Sequence, residues 1–582
     1  MNPLETTGKT LEMEVETTPG LDTDKKFCSI VLDVMEKHGV SDIVCSPGSR
    51  NTPLIIAAAA RDSIRKHVVV DERSAAFVAL GMTLVGRQPV ALLCTSGTAL
   101  LNYAPAVAEA FYQHLPLIVV SADRPQQWID QDDSQTLRQF EALANFVKKS
   151  YELPAYGDND PELQWYANRI ANDAMIEACG GRKGPVHINV RLSEPLGGKA
   201  RKNEIPERVI NILEADSIGN KEVVKQLAEE VAVSKVMLVA GFMQPDSRLQ
   251  KAVADFSRHP NVTVMAETLS NLHLDKEYFS VDSVITGVSE EKLDSYAPDL
   301  IISIGGSLVS RKLKEYLRRN SDKCRHWSLG KSFTTSDCFK SISLRIEVEP
   351  TRFLKNINAR LWNMNFSGDV NTYAKEWSEL RGEVKVKKEE YMRGVEWSEL
   401  KAFDIILKTI PPSYNLFLSN GTAVRYAQII DYKLPHASYC NRGVSGIDGS
   451  CSTAIGGAIT YKGNTILITG DLSMAYDIGS LSLQEIPSTM KIIVIDNQGG
   501  GIFRFIPTTS GLEEREEYFC VGQKLPLQHL AEGYGWHYIE ATDEDSLLTG
   551  LKELFYSNQK TIMKVVCNGE KSAEILKGYM RI

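Results

Sequence analysis

Two polar turns, each closing an apolar run, constrain this chain more than any other feature. Thr465-Ile-Leu-Ile-Thr469 leads into Gly470-Asp471-Leu472-Ser473, and Ile492-Ile-Val-Ile495 leads into Asp496-Asn497-Gln498-Gly499-Gly500. Short unbroken apolar runs bounded by turn residues are the pattern of strands buried on both faces. A helix-length segment, roughly 477–485, separates them, so the unit is predicted as βαβ with parallel strands and a right-handed crossover. Asp471 and Asn497 then lie side by side at the carboxyl ends of adjacent strands, where open α/β sheets bind ligands. The carboxylate, the amide oxygen and a nearby carbonyl such as that of Gly499 are hard donors suited to Mg²⁺ or Ca²⁺. The glycines and the helix start after Asp471 offer N–H groups to a phosphate. The pattern reads as a divalent cation holding a diphosphate.

The rest of the chain supplies the same kind of unit repeatedly. Strand-like runs at 41–45, 68–70, 90–94, 117–121 and 186–190 alternate with helical stretches. A polar segment at 193–206, with a Gly-Gly pair and a basic cluster, reads as a linker. A second α/β block has strands at 236–240, 262–265 and 300–304, and charged helical sequence at 373–391 leads into a third. That third block holds strands at 415–419 and 562–566 besides the two polar-turn strands. The expectation is three α/β domains with mostly parallel sheets, at 24–192, 207–370 and 395–582. Residues 1–23 are polar, acidic and unpatterned, and are expected to form a mobile extension.

Composition narrows the class. The formal net charge of −9 and the lack of a Lys/Arg run argue against a nucleic-acid partner. Ten cysteines without a C-x-x-C pair fit free thiols in a reducing cytosol. No apolar run nears membrane-spanning length and no signal pattern opens the chain, so a cytoplasmic protein with no membrane partner is expected.

The Gly470-Asp471 turn with Asn497 after the next strand resembles the metal–diphosphate motif of thiamine diphosphate (ThDP) enzymes. Leu472 stands where that motif usually has glycine, and Asp496 replaces the first of two usual asparagines. Further strings occur in order: Ser46-Pro-Gly-Ser-Arg-Asn-Thr-Pro53, Thr95-Ser-Gly-Thr-Ala99, Ser121-Ala-Asp-Arg-Pro125 and Asn441-Arg-Gly-Val-Ser-Gly-Ile-Asp-Gly449. Together with Gly470-Asp-Leu-Ser473 they resemble the 2-succinyl-5-enolpyruvyl-6-hydroxy-3-cyclohexene-1-carboxylate synthase (MenD) family of menaquinone biosynthesis. The resemblance runs from about Asp24 to the carboxy terminus and is weaker through the middle.

That resemblance implies three Rossmann-like, doubly wound α/β domains of the ThDP-enzyme type, with ThDP and Mg²⁺ (or Mn²⁺) as cofactors. It implies decarboxylation of 2-oxoglutarate and 1,4-addition of the resulting succinyl carbanion to isochorismate. Glu72, in His67-Val-Val-Val-Asp-Glu-Arg73, matches the glutamate that touches N1′ of the cofactor's aminopyrimidine and promotes the tautomer that deprotonates thiazolium C2. By itself Asp-Glu-Arg would read as an ordinary βα loop. The metal ligands implied are Asp471, Asn497 and Gly499. Cofactor neighbours implied are Asn420, Gly421, Ser445, Gly470, Leu472, Ser473 and Gly500, with Ile447 as the apolar wedge that bends ThDP into a V. Gly421 stands where a small hydroxyl residue is expected.

Both substrates are dianions, and arginine forks suit carboxylates. The matched positions are Arg50, Arg124, Arg425 and Arg442, each just past a strand or in a loop at the rim of a cleft. Arg311 and Lys312 are the basic pair of the middle block, with either able to face inward. Ser49, Ser134 and Gln135 match neutral polar positions, and Ile502, Phe503 and Ile506 an apolar wall. Arg442, Arg425 and Gln135 join Glu72 in the catalytic set. A homodimer or homotetramer with active sites at subunit interfaces is implied, because the cofactor lies between the first domain of one subunit and the third of another. No two of the ten histidines are adjacent and none falls within the matched strings, so His67 and His114 read as structural. Two alternatives stand: another ThDP-dependent 2-oxoacid carboligase of acetolactate synthase type, and a non-catalytic nucleotide-binding regulator.

Overall fold

The computed structural model describes residues 20–202, 207–212, 221–274, 281–331, 336–364, 366, 368–522 and 524–582. Its frame is three wholly parallel sheets. The first has the spatial order Arg65–Val68, Asp42–Cys45, Val90–Cys94, Leu117–Asp123, Val186–Arg191, Ser150–Leu153. The third has the order Ala437–Tyr439, Asn415–Leu418, Thr465–Gly470, Met490–Asp496, Thr561–Val566, His537–Ala541. Numbered along the chain within each sheet, both orders are 2-1-3-4-6-5, so the outer blocks share one topology. The central sheet runs Val262–Ala266, Val236–Ala240, Leu300–Ile304, Arg325–Leu329, Ile342–Ile346, the order 2-1-3-4-5. In every block the order reverses between strands 1 and 3, and the loops at that switch point are where such sheets take ligands.

The inner strands of these sheets are mostly apolar and buried on both faces, the habit of parallel sheets, while strands such as Arg65–Val68 and Ile342–Ile346 are more exposed. Val90–Cys94 and Leu117–Asp123 are buried at every position, which requires helices on both faces. The outer blocks are fused through the helices Glu72–Gly86 and Ser450–Thr460. A Cβ on Gly81 would sit 1.9 Å from the Thr453 carbonyl oxygen, and one on Gly456 would sit 2.0 Å from that of Val78. Glycine at these two positions lets the backbones touch. One apolar cluster consequently runs through both blocks, with Phe77 and Leu80 joined to Leu416, Ile466 and Ile493.

Three expectations need correction. Within the segment read as an extension, Leu21–Thr23 forms a strand pairing antiparallel with Lys199–Arg201, part of the segment read as a linker. Fully buried Arg61 ties the first of these strands to the helix Lys26–Lys37, meeting Asp22 at 3.2 Å and Asp33 at 2.7 Å. Positions 1–19 and 203–206 of those two segments lie outside the described residues. The crossover helix expected at 477–485 is instead Asp471–Tyr476 followed by a 3-10 turn at Ile478–Ser482. Asp477 ends the helix because its buried carboxylate accepts both the N–H and the hydroxyl of Ser452. The strand before Glu72 is Arg65–Val68, and Glu72 itself is the first residue of its helix, with Asp71 as cap. Among the described residues no helix is long and apolar enough to cross a membrane.

Candidate active site at the sheet switch points

In the third block Asp471 follows strand 3 and Asn497 follows strand 4, so the two predicted ligands are neighbours. Asp471 Oδ2 accepts the Gly499 N–H at 2.8 Å, and Oδ1 accepts the Leu472 N–H at 2.9 Å. Gly499 has φ 130°, and a Cβ there would meet the Cys520 carbonyl oxygen at 2.4 Å, so glycine alone fits. Asp471 is buried, and burial, reinforced by Asp496, pushes its carboxyl up to about 6. Asn497 donates to Glu399 Oε1 at 2.9 Å, and its own buried Oδ1 has no hydrogen-bond partner.

Two residues missed in the sequence fasten this corner. Glu399 opens the helix Glu399–Thr409, is fully buried, and burial lifts its carboxyl to about 7. Arg504 donates to the Asn497 carbonyl oxygen at 3.1 Å and pairs with Glu516 at 2.9 Å. Glu399 stands far away in sequence, at a helix start where an acid is ordinary, so no local signal marks it. Arg504 sits inside the segment read as an apolar wall, where only its charge among Ile502, Phe503 and Ile506 could have flagged it. Phe503 packs on Phe519 with ring centroids 5.6 Å apart, while Ile502 and Ile506 are half-buried beside it.

The loop from Asn441 to Gly449 passes over the same sheet end. Asn420, just past strand 1, donates to the carbonyls of Asn441 and Gly446, each at 2.6 Å, and accepts Arg442 Nη1 at 2.8 Å. Ser473 Oγ donates to the Ile447 carbonyl at 2.7 Å. Ile447 remains 38% exposed and Ser445 takes φ 65°. Gly421 and Gly470 face open space, where a Cβ would meet nothing within 4 Å, and a Cβ on Gly500 would run into Phe503. Arg425 lies past the strand Asn415–Leu418, within the helix Ala423–Ile429, and donates to the Gly421 carbonyl. Burial and then the charge of Arg442 lower the Arg425 pKa, so the two guanidinium groups are near one another.

The central block approaches these arginines. Ser307 Oγ donates to the Arg442 carbonyl at 2.9 Å. Fully buried Glu267 accepts the N–H groups of Val309 and Ser310 at 2.8 and 2.7 Å, which sets the start of the helix Arg311–Arg319. Arg311 and Lys312 themselves pair with Glu315 at 2.7 and 3.1 Å on the exposed face. Lys312 is the one whose charge reaches buried Asp282, which also feels Arg425.

The first block carries a second group. Arg50 is buried at 5% exposure rather than standing on a rim; it donates to the Leu192 carbonyl at 3.1 Å and pairs with Glu194 at 3.2 Å. Burial and then the charge of Arg124 lower its pKa, which places those two arginines together. Arg124 pairs with Asp133. Gln135 exchanges hydrogen bonds with Ser96, its Nε2 donating to the Ser96 carbonyl at 2.8 Å. Ser134 has φ 55°, and the exposed loop residue Ser49 precedes Arg50 with its carbonyl accepting the Thr52 hydroxyl at 2.8 Å. Glu72 begins its helix half-buried near Cys94 and Tyr103; burial first, and then the charge of Glu72 among other groups, raises the pKa values of those two. Among the described residues no hydrogen bond or ion pair joins Glu72 to Asp471 or Asn497. Its neighbours do reach across: Arg73 donates to the Tyr476 carbonyl at 2.9 Å, and His67 bridges Asp42 at 3.0 Å and Glu485 at 2.5 Å.

Comparison with known proteins identifies this arrangement. Residues 25–142 match the family described as thiamine pyrophosphate enzyme, N-terminal TPP binding domain. A 2-succinyl-5-enolpyruvyl-6-hydroxy-3-cyclohexene-1-carboxylate synthase of Porphyromonas gingivalis is 39% identical over 567 residues, covering 96% of this chain and 97% of its own. Synthases of the same name from Flavobacterium johnsoniae and Bacteroides fragilis are each 35% identical, covering 95% and 96% of this chain and 98% and 99% of theirs. With three parallel α/β blocks and identity along almost the whole length, the chain belongs to the thiamine diphosphate-dependent 2-succinyl-5-enolpyruvyl-6-hydroxy-3-cyclohexene-1-carboxylate synthase family.

Proposed function

We propose that the protein decarboxylates 2-oxoglutarate and adds the remaining four-carbon unit to isochorismate, releasing CO₂ and giving 2-succinyl-5-enolpyruvyl-6-hydroxy-3-cyclohexene-1-carboxylate. The observation that carries this reading is the pairing of four arginines, Arg50 with Arg124 and Arg425 with Arg442, all beyond the carboxyl ends of strands in the outer blocks. Two dianionic substrates call for such forks. A pyruvate-sized substrate needs fewer.

The third-block corner fits Mg²⁺ or Mn²⁺ bound to a diphosphate. Asp471 supplies a buried carboxylate and Asn497 an unpartnered buried oxygen. Among the described residues no cluster of three or more His, Cys, Asp or Glu side chains forms a cage, so a cation here must complete its shell with carbonyl, phosphate or water oxygens. That is the habit of Mg²⁺. The Gly499 carbonyl is the third protein ligand in this reading, with Gly470, Leu472, Ser473, Gly500, Asn420, Gly421 and Ser445 around the diphosphate.

When bound, thiamine diphosphate supplies an acidic thiazolium carbon that adds to a 2-oxo carbonyl and accepts the electrons left by CO₂. Glu72 holds a proton in hydrogen bond to the aminopyrimidine ring. Ile447, 38% exposed and held through its carbonyl by Ser473, would be the apolar residue packed against the bound cofactor. The arginines, Lys312 (or Arg311), Ser49, Ser134 and Gln135 orient the carboxylates, while Ile502, Phe503 and Ile506 keep water from the bond-forming face.

We further infer that the sites form between copies. Val68 and Val70, beside Glu72, are 61% and 74% exposed, and Tyr476, beside the metal turn, is 52% exposed. A second copy covers these apolar surfaces and brings its Glu72 to this chain's Asp471. Mixing inactive Glu72→Gln and Asp471→Asn proteins after dissociation should restore activity, because hybrids contain one intact site; mixtures as inactive as their parents would refute it.

The functional assay supplies ThDP, Mg²⁺, 2-oxoglutarate and isochorismate, and follows isochorismate consumption with product mass. Consumption dependent on both ThDP and 2-oxoglutarate, with the succinyl adduct's mass, is expected. Turnover of pyruvate in preference to 2-oxoglutarate would overturn the assignment.

A further inference from the structure

We propose that Glu109, in the first block, is a positioning residue for the reaction: its carboxylate holds the third-block loop that presents Arg442 and Ile447. This inference rests on the proposed function.

Glu109 lies on the helix Ala104–Gln113 and is 1% exposed. Such a carboxylate normally has a cation, yet among the described residues no ion pair reaches it. It spends its acceptors on backbone instead. Oε1 accepts the Gly443 N–H at 2.5 Å and Oε2 accepts the Val444 N–H at 2.8 Å. The next residue, Ser445, has φ 65°, a left-handed geometry that turns successive N–H groups toward one side, as in backbone anion nests. Gln113, one turn along the helix, donates to Glu109 and to the Cys440 carbonyl at 3.3 Å. Gly443 is required at the contact, since a Cβ there would lie 2.6 Å from the Glu109 carbonyl oxygen.

The other anchors of this loop grip its carbonyls. Asn420 takes those of Asn441 and Gly446, Ser307 that of Arg442, and Ser473 that of Ile447. Glu109 alone of these grips the N–H side, and it does so from a different block. Arg442 immediately precedes the two anchored N–H groups and Ile447 follows within the same turn. A loop freed on that side can shift both the guanidinium and the wedge, and a displacement of about 1 Å costs on the order of 100-fold in rate.

The test is Glu109→Gln in the full-length protein loaded with ThDP and Mg²⁺, beside the unaltered protein. Glutamine keeps the shape but replaces one acceptor oxygen by an NH₂ that faces another N–H. The expected result is kcat lower by about 10- to 100-fold and a raised KM for at least one dianionic substrate. Affinity for ThDP with Mg²⁺, read by fluorescence titration, should fall by a smaller factor than kcat, because Asp471 and Asn497 are untouched while Ser445 and Ile447 lie on the shifted loop. Kinetics within twofold of the unaltered protein, or a uniform loss that tracks the folded fraction, would overturn the proposal. If Glu109→Gln does not fold, Gln113→Ala carries the test: it removes one donor to the same carboxylate, and an unchanged kcat with both substrates would overturn the idea equally. Failure of the unaltered protein to join the two substrates would instead overturn the functional reading.

Discussion

Replacing Glu399 tests whether the third-block corner is built for a cation. Asn497 presents Oδ1 inward only because its NH₂ is committed to Glu399 at 2.9 Å. The two ends of an amide are nearly equal in shape, so an Asn without that partner can turn its NH₂ toward the cation and lose a ligand. A hydrogen bond to a carboxylate is worth about 1.5–3 kcal/mol net, or about 10- to 150-fold in an equilibrium constant. Changes behind metal ligands cost about 10- to 100-fold in affinity, which agrees. Glu399→Leu should therefore raise the Mg²⁺ dissociation constant by about 10- to 100-fold. Glu399→Gln retains a carbonyl acceptor for the Asn497 NH₂ and should stay within about fivefold. Isothermal titration of Mg²⁺ into protein with excess ThDP reads both, and melting curves establish that each variant is folded. A folded Glu399→Leu protein with unchanged Mg²⁺ affinity would refute the reasoning, since Asn497 would then need no support.

Two further perturbations probe the frame. Gly81→Ala adds a methyl 1.9 Å from the Thr453 carbonyl. The helix-propensity gain of about 1 kcal/mol should be outweighed by separation of the two helices, lowering Tm by several degrees; a higher Tm would show that the crossing is loose. Burial raises the Glu267 carboxyl from 4.5 to about 7. The folded protein then keeps a proton that the unfolded chain has released, so stability is full below about pH 4.5 and falls as pH rises toward 7, by on the order of 3 kcal/mol. Glu267→Gln should flatten the fall in Tm between pH 5 and 8, and parallel Tm profiles for the two proteins would exclude Glu267 as its source.

The two polar turns were legible because a strand-end motif is local: the same few residues form the strand, stop it and carry the ligand. Asp471 and Asn497 became neighbours as soon as their strands were paired. Ser46 to Arg50 is legible in the same way, as a string placed after a strand, whereas Asn441 to Gly449 is legible only through the family resemblance, since its strand Ala437–Tyr439 is not evident in the sequence. What escaped was whatever depends on residues distant in sequence. Arg50 was read as a rim residue and is buried, because the Leu192 carbonyl and Glu194 close over it. The crossover helix was misplaced because its end is set by Asp477 bonding to Ser452, a contact between two helices.

By itself the sequence determined the repeated βα pattern, the parallel strands and the chemistry of the switch-point loops, since apolar runs and turn residues act over a few positions. The tertiary structure alone decided which buried carboxylates stand behind those loops. Glu109, Glu267 and Glu399 look ordinary in the sequence; each matters because folding removes it from water beside a backbone or amide donor that no neighbouring residue supplies.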